Sequence, residues 1–312
     1  MQDNARKITY GAMMIAMFAI LLAISVYIPI VGGVVLFFIP LPIILYRLRY
    51  DFGASMLVTV TGVLLSVIVG GIIIVPYALL FGVLGLIIGS TIKTGKSKLY
   101  TFMASGLTIL ISTVLLYAGT VLFLGINIID QLLEELSATS EKMTEFMSNN
   151  ADISASILKQ TDELITFYEV AVPSMFMIAS FGMAFIIVIL NLAVVKRLGL
   201  DVPSFSPFRE MKLPAIVVWS YLVVLLIGLL GAPEPGSTLY LTYVNAAVIL
   251  RFLLLLQGLS LVQFYLNEKK SPKWLTVIST VFAILLSQIT ILLGVLDSGM
   301  NIRAWITRNK TN

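Results

Sequence analysis

"NAAVILRFLLLLQGLSLVQFYL", residues 245–266, contains no proline, no acid and a single charge, Arg251. With the apolar residues before it, the run extends from about 239 to 266. About 20 apolar residues are enough to cross a bilayer core as a helix. A helix also pairs its own backbone groups, as hydrocarbon requires. The stretch therefore reads as a membrane span, and it poses one question. A guanidinium does not lose its charge, so Arg251 needs a partner, a wet cavity or a route to the surface.

The rest of the chain agrees with this class. Of its 312 residues, 59% are hydrophobic and 12% charged, and the mean hydropathy is +1.03. Globular domains are about a quarter charged. The sequence predicts an all-α, polytopic transmembrane bundle of about nine segments, with a range of eight to nine. They lie near 8–30, 34–46, 53–73, 75–92, 99–128, 166–195, 214–231, 239–266 and 274–296. The second is short and carries Pro40 and Pro42, which fits a broken or partly re-entrant helix. The third and fourth are joined by a tight turn from Gly70-Gly71 to Pro76. The first follows Arg6 and Lys7 and is longer than a signal-peptide core, so an uncleaved span is expected.

Loop charge suggests an orientation. With the N-terminus cytoplasmic and nine spans, the inner loops hold fourteen of the twenty basic residues. They include Arg47, Arg49, Lys196, Arg197, Lys269 and Lys270, as cytoplasmic loops of membrane proteins favour. The polar tail, 297–312, would then lie outside with Arg303, Arg308 and Lys310, against that bias. The net charge of +4 is explained by topology, and no nucleic-acid partner is expected.

Residues 129–169 differ in kind, with nine acids against two lysines. Ile129, Leu132, Leu133 and Leu136, then Met143, Phe146 and Met147, recur at helical spacing. Ile153, Ile157, Leu164 and Tyr168 do so after "SNNAD", where Asp152 suits a helix cap. This predicts an acidic, amphipathic, extracytoplasmic helical hairpin. It reads as a solvated spacer, a lid or a partner-docking element. The expected domains are a five-segment membrane region (1–128), the hairpin (129–169), a four-segment membrane region (170–296, its first helix starting near 166) and the tail.

There is no Cys and no His. That excludes a thiol nucleophile, a Ser-His triad and ordinary zinc ligation. No Walker-type phosphate loop is present. We expect no catalytic residues, metal or cofactor, and not an enzyme. Any ATP-driven step would come from partners.

Small residues form stripes. Ala12, Ala16, Ala19 and Ala23 line one face of the first span. Gly62, Ser66 and Gly70 recur in the third, and Gly82, Gly85 and Gly89 in the fourth. Such stripes let helices approach closely in lipid. The alanine stripe, "IPLPIIL" and "YDFGASMLVTVTGVLLSVIVGG" together resemble the S components of energy-coupling-factor vitamin transporters. That resemblance implies that Ala12 and Ala16 dock on a transmembrane coupling subunit served by ATPases. Over most of the chain, "YGAMMIAMFAILLAISVYIP" and the long acidic insert resemble the YybS family of bacterial membrane proteins. That family has no established activity, and the resemblance implies a bacterial inner membrane. The chain departs from ordinary S components in its length, its hairpin and its last three segments.

Arg251 is eight residues from Tyr243, roughly 12 Å along a helix, against roughly 15 Å for half a hydrocarbon core. One reading is a side chain that snorkels outward. The other places it inward, because Ala247 and Gly258 share its face. Glu169 and Asp297 are then its expected ion-pair partners. Asn245 and Gln257 join Arg251 as candidate ligand contacts for a small anionic solute or lipid headgroup. The function expected is an S-component-like solute-binding subunit. The alternative is a non-transporting scaffold or regulator acting through the hairpin.

Overall fold

The computed structural model describes the backbone of residues 2–146, 151–202, 207–231, 233–300 and 302–308. Side chains of residues 2, 3, 140, 143–146, 151–162, 305, 307 and 308 lie outside that description. So do the expected apolar pattern at Met143, Phe146, Met147, Ile153 and Ile157, the turn at 148–152 and the cap at Asp152.

The described residues form helices and connecting turns, with no strand among them. The helices are α1 (Gln2–Tyr27), α2 (Val31–Val35), α3 (Leu41–Arg49), α4 (Phe52–Gly70), α5 (Val75–Lys93), α6 (Lys98–Leu124) and α7 (Ile128–Phe146). They continue as α8 (Ala151–Arg197), α9 (Ala215–Gly231), α10 (Thr238–Glu268), α11 (Lys273–Leu285), α12 (Ser287–Met300) and α13 (Ile302–Arg308). Among the described residues, seven helical stretches are long and apolar enough to cross a membrane, counting 31–49 with its 3-10 break as one. The chain is thus a polytopic helical bundle. It divides into two compact units, Met1–Asn127 with Phe176–Phe205 and Ile128–Met175 with Ser206–Asn312. The sixth apolar segment is therefore shared between the units rather than belonging wholly to a second membrane region.

In the first unit, α1 buries Met14, Phe18 and Leu22, which recur at a spacing of four. The glycine stripes serve internal packing. A Cβ on Gly62 would meet Phe18 at 3.2 Å, one on Gly82 would meet Thr59 at 2.8 Å, and one on Gly85 would meet the Pro40 carbonyl at 2.8 Å. The second apolar segment is broken. A 3-10 turn, Leu36–Phe38, separates α2 from α3. Pro40 and Pro42 sit at the start of α3, where a missing N–H costs nothing. Buried Asn191 of α8 donates to the carbonyl of Phe37 at 2.8 Å, satisfying the break. Gly71, at φ 69, makes the sharp turn before α5. Asp51 caps α4 through Ala54 N and pairs with Lys7. Those two bonds, Lys7 first, hold its carboxyl down to about 2.

In the second unit, α7 and the start of α8 supply both limbs of the acidic hairpin. The first limb does not continue span five, because Gly125 in the left-handed region ends α6. The second limb is continuous with span six. At 17 residues, α9 is shorter than the seven long helices. The close pair is α10 with α12. A Cβ on Gly258 would overlap the Thr290 carbonyl, and one on Gly294 the Leu254 carbonyl.

The segment expected as one span over 274–296 is corrected. It is two helices, α11 and α12, bent by 102° at Leu286. No proline or glycine marks the bend. It is closed by Thr290, whose hydroxyl donates to the Ala283 carbonyl at 2.6 Å. Gln263 of α10 faces Thr280 of α11 across the short 269–272 turn, so these helices run antiparallel. Contacts of α12 advance along α10 in the same sense, Arg251 with Gln288 and then Gln257 with Asp297. After the bend the chain heads back toward the α10 C-terminal end.

The contact between α10 and α12 sets a stability test. Gly258→Val and Gly294→Val should each cost about 3 kcal/mol or more, since backbone carbonyls cannot move aside. Gly119→Ala and Gly182→Ala, with open space around them, should leave the melting temperature in detergent unchanged or raised. Equal melting of all four variants would contradict this packing.

Candidate functional site

Polar side chains of the second unit form a seam along α10, from Asn245 to Ser260. At its α8 end, Pro173 interrupts the helical ladder. A proline lacks an N–H and its ring crowds the preceding turn. Asn245 repairs the damage with one amide. Its Oδ1 accepts from Ser174 N at 2.9 Å, and its Nδ2 donates to the Val170 carbonyl at 2.8 Å. The side chain thus bridges a donor and an acceptor of the helix turn that holds Pro173. Both ends of the amide are committed.

Further along, the seam holds the irregular segment 207–213 ahead of α9. Buried Gln257 accepts from Leu213 N at 2.9 Å and donates to Asp297 Oδ2. Arg303 of α13 is the hub. Its Nε donates to Asp297 Oδ2 at 2.9 Å, and its Nη1 to the Arg209 carbonyl at 2.7 Å. Its Nη2 donates to the Met211 carbonyl at 2.9 Å and to Ser260 Oγ at 3.0 Å. Ser260 in turn donates to the Phe208 carbonyl at 2.8 Å. The Arg303 and Asp297 side chains are 5% and 0% exposed. Among the described residues, the second carboxylate oxygen of Asp297 has no hydrogen-bond partner.

This corrects the expected pairing of Arg251. Asp297 pairs with Arg303, about 13 Å along α12 from Gln288. Glu169 lies on the hairpin limb of α8. It lines a groove of about 440 Å³ with Asp130, Glu134, Glu141, Leu133 and Ile165. Arg251 itself is exposed, and its guanidinium donates to the neutral Gln288 amide at 3.0 Å. That bond lies where α11 turns into α12. Gly258 packs on α12 as its face predicts. Ala247 is half-buried.

Of the three candidate ligand contacts, Asn245 is therefore occupied by backbone groups and Gln257 by Leu213 N and the Asp297 carboxylate, while Arg251 retains donors among the described residues. The Arg303 cluster escaped the sequence reading. Its guanidinium is carried by a polar tail, and its partners are carbonyls, which composition does not reveal. The alanine stripe is not used internally. Ala12 and Ala16 are exposed, and Ala19 and Ala23 half-buried. No group of three or more acids able to hold a metal occurs among the described residues.

The buried pair predicts a thermodynamic asymmetry. Arg303→Met should destabilise the protein by about 3–5 kcal/mol by stranding Asp297 in a dry site. Arg303→Met with Asp297→Leu should recover a large part of that loss in thermal or denaturant unfolding. A double variant as unstable as the single one would show that the carbonyl contacts, not the ion pair, dominate.

Comparison with known proteins gives a family and no chemistry. The family model described as a predicted membrane protein (DUF2232) matches residues 16–298. The uncharacterised protein YybS of Bacillus subtilis (strain 168) is 30% identical over 306 residues, covering 96% of this chain and 98% of that protein. No solved structure matches.

Proposed function

The chain belongs to the DUF2232 family of membrane proteins, and from that premise we propose that it is a substrate-binding, S-component-like subunit for a small anionic solute. The observation that carries this reading is Arg251. It sits 13 residues into the 31-residue α10, roughly 20 Å from its start. It is exposed, and a neutral amide is its side-chain partner. A charge so placed in a span is costly unless water or a counter-charge meets it. The planar fork of a guanidinium suits a carboxylate or phosphate better than an ammonium does.

One further feature supports the reading. The exposed face of Ala12 and Ala16 leaves α1 open to a helix of a coupling subunit, which would bring the ATPases this chain lacks. Neighbouring Ala19 and Ala23 extend the same stripe. The proposed setting is the bacterial cell membrane with the N-terminus cytoplasmic, on the basis of loop charge. No catalytic step is assigned. A second reading, a scaffold or regulator, is favoured by one observation. The hairpin groove carries four carboxylates, Asp130, Glu134, Glu141 and Glu169, suited to a basic segment of an envelope partner.

Native mass spectrometry of the purified protein tests the first reading. It should release a small anion from the wild type. Arg251→Gln should hold that anion about 10- to 100-fold more weakly, the loss of one charge-assisted contact, while melting at an unchanged temperature. Equal loss of folding and ligand would instead make Arg251 a structural residue. Ala16→Leu should detach a co-purifying coupling subunit without changing the bound anion.

A further inference from the structure

The last two apolar helices, α11 and α12, have a course that the span count alone does not reveal. With 13 and 14 residues, they are each about 20 Å long, short of a core about 30 Å thick. Helix α11 leaves the C-terminal end of α10 and runs back along it, as Gln263 and Thr280 show. Beyond the bend the pairings run Arg251 with Gln288, Gln257 with Asp297, and Ser260 with Arg303. Both members of each pair advance together, so α12 returns toward the end from which α11 came.

Two independent features agree with that return. First, Arg303 binds the Arg209 and Met211 carbonyls, just ahead of the α9 start. The α9 end lies at the other end of α10, where Gly228 approaches the Tyr243 hydroxyl. Second, the charges sort better. If α13 shares the side of Lys269, Lys270 and Lys273, Arg303 and Arg308 join the fourteen basic residues of that side, making sixteen of twenty. The charge conflict of a nine-span arrangement disappears.

We infer that α11 and α12 form a re-entrant hairpin that enters and leaves on one side of the membrane, and that water and small anions reach Arg251 at its tip from the Thr238 side. Among the described residues, no side-chain hydrogen bond joins α11 or α12 to α10 on the Thr238 side of Arg251. The guanidinium there has one neutral acceptor and is exposed. In hydrocarbon it requires solvation, and on the Glu268 side of it α11 and α12 are bonded to α10. Broken helices meeting at mid-depth are tolerated where they line a cavity. The anion half of this inference rests on the ligand reading of Arg251 given above; the topological half does not.

The absence of native cysteine makes the test direct. Single-cysteine variants Thr238→Cys, Lys270→Cys, Ala304→Cys and Ser287→Cys of the full chain are treated in sealed vesicles with impermeant thiosulfonates, one anionic and one cationic. Cysteines at 270 and 304 should react from the same side, and 238 only from the other. Reaction of 304 from the 238 side would overturn the re-entrant hairpin. Cysteine at 287, at the tip, should react from the 238 side, about tenfold or more faster with the anionic reagent. That preference should vanish with Arg251→Gln. No reaction from the 238 side, in this variant and in Leu286→Cys, would overturn the access route. Equal rates for the two reagents would sink the anion reading and leave the topology standing.

Discussion

In hydrocarbon, a carbonyl or N–H without a partner costs several kcal/mol, and this constraint shapes the irregular parts of the molecule. At four places among the described residues where the helix is interrupted, a particular side chain bonds the backbone. Asn191 answers the 3-10 break at Phe37. Asn245 bridges the gap beside Pro173. Thr290 closes the bend at Leu286. Gln257, Ser260 and Arg303 together satisfy the segment from Phe208 to Leu213. Most of these polar residues are buried, and their amides, hydroxyls and guanidinium point at main-chain atoms.

That pattern bears directly on function. In a membrane protein an intramembrane polar residue is by default a functional candidate. Here the default fails for Asn245 and Gln257, because each is committed at both ends of its amide. It survives for Arg251, whose one hydrogen-bond partner among the described residues is a neutral side chain at a bend. The cost of leaving a permanent charge so lightly partnered is what points to water or an anion beside it. Arg303 and Arg251 of the second unit are thus held in contrasting ways. Arg303 is saturated and holds the C-terminal helix in place, while Arg251 has donors to spare.

Much of this was legible in the sequence. Runs of about twenty apolar residues located the long spans. The glycine stripes of α4 and α5 announced close packing, and Pro40 with Pro42 announced the break before α3. Two features were hidden. The run 274–296 contains no proline or glycine at Leu286; the bend coincides with the Thr290–Ala283 bond across it and with the close approach of Gly258 and Gly294, which composition does not reveal. The pairing of Asp297 was also hidden. Spacing put it at the end of a span, but its partner Arg303 lies in a segment whose composition reads as tail. Side-chain periodicity shows which face is buried and not which backbone atom a polar group will meet.

The central claim is that α12 runs with α10 and not away from it. Spin labels on cysteines at 238 and 304, and at 268 and 304, measure this by their separations. The 304 label lies beside Ser260, through Arg303. The account therefore predicts a 268–304 separation under about 25 Å and a 238–304 separation above about 30 Å, from the rise of α10. The opposite order, with 304 nearer to 238, would contradict it.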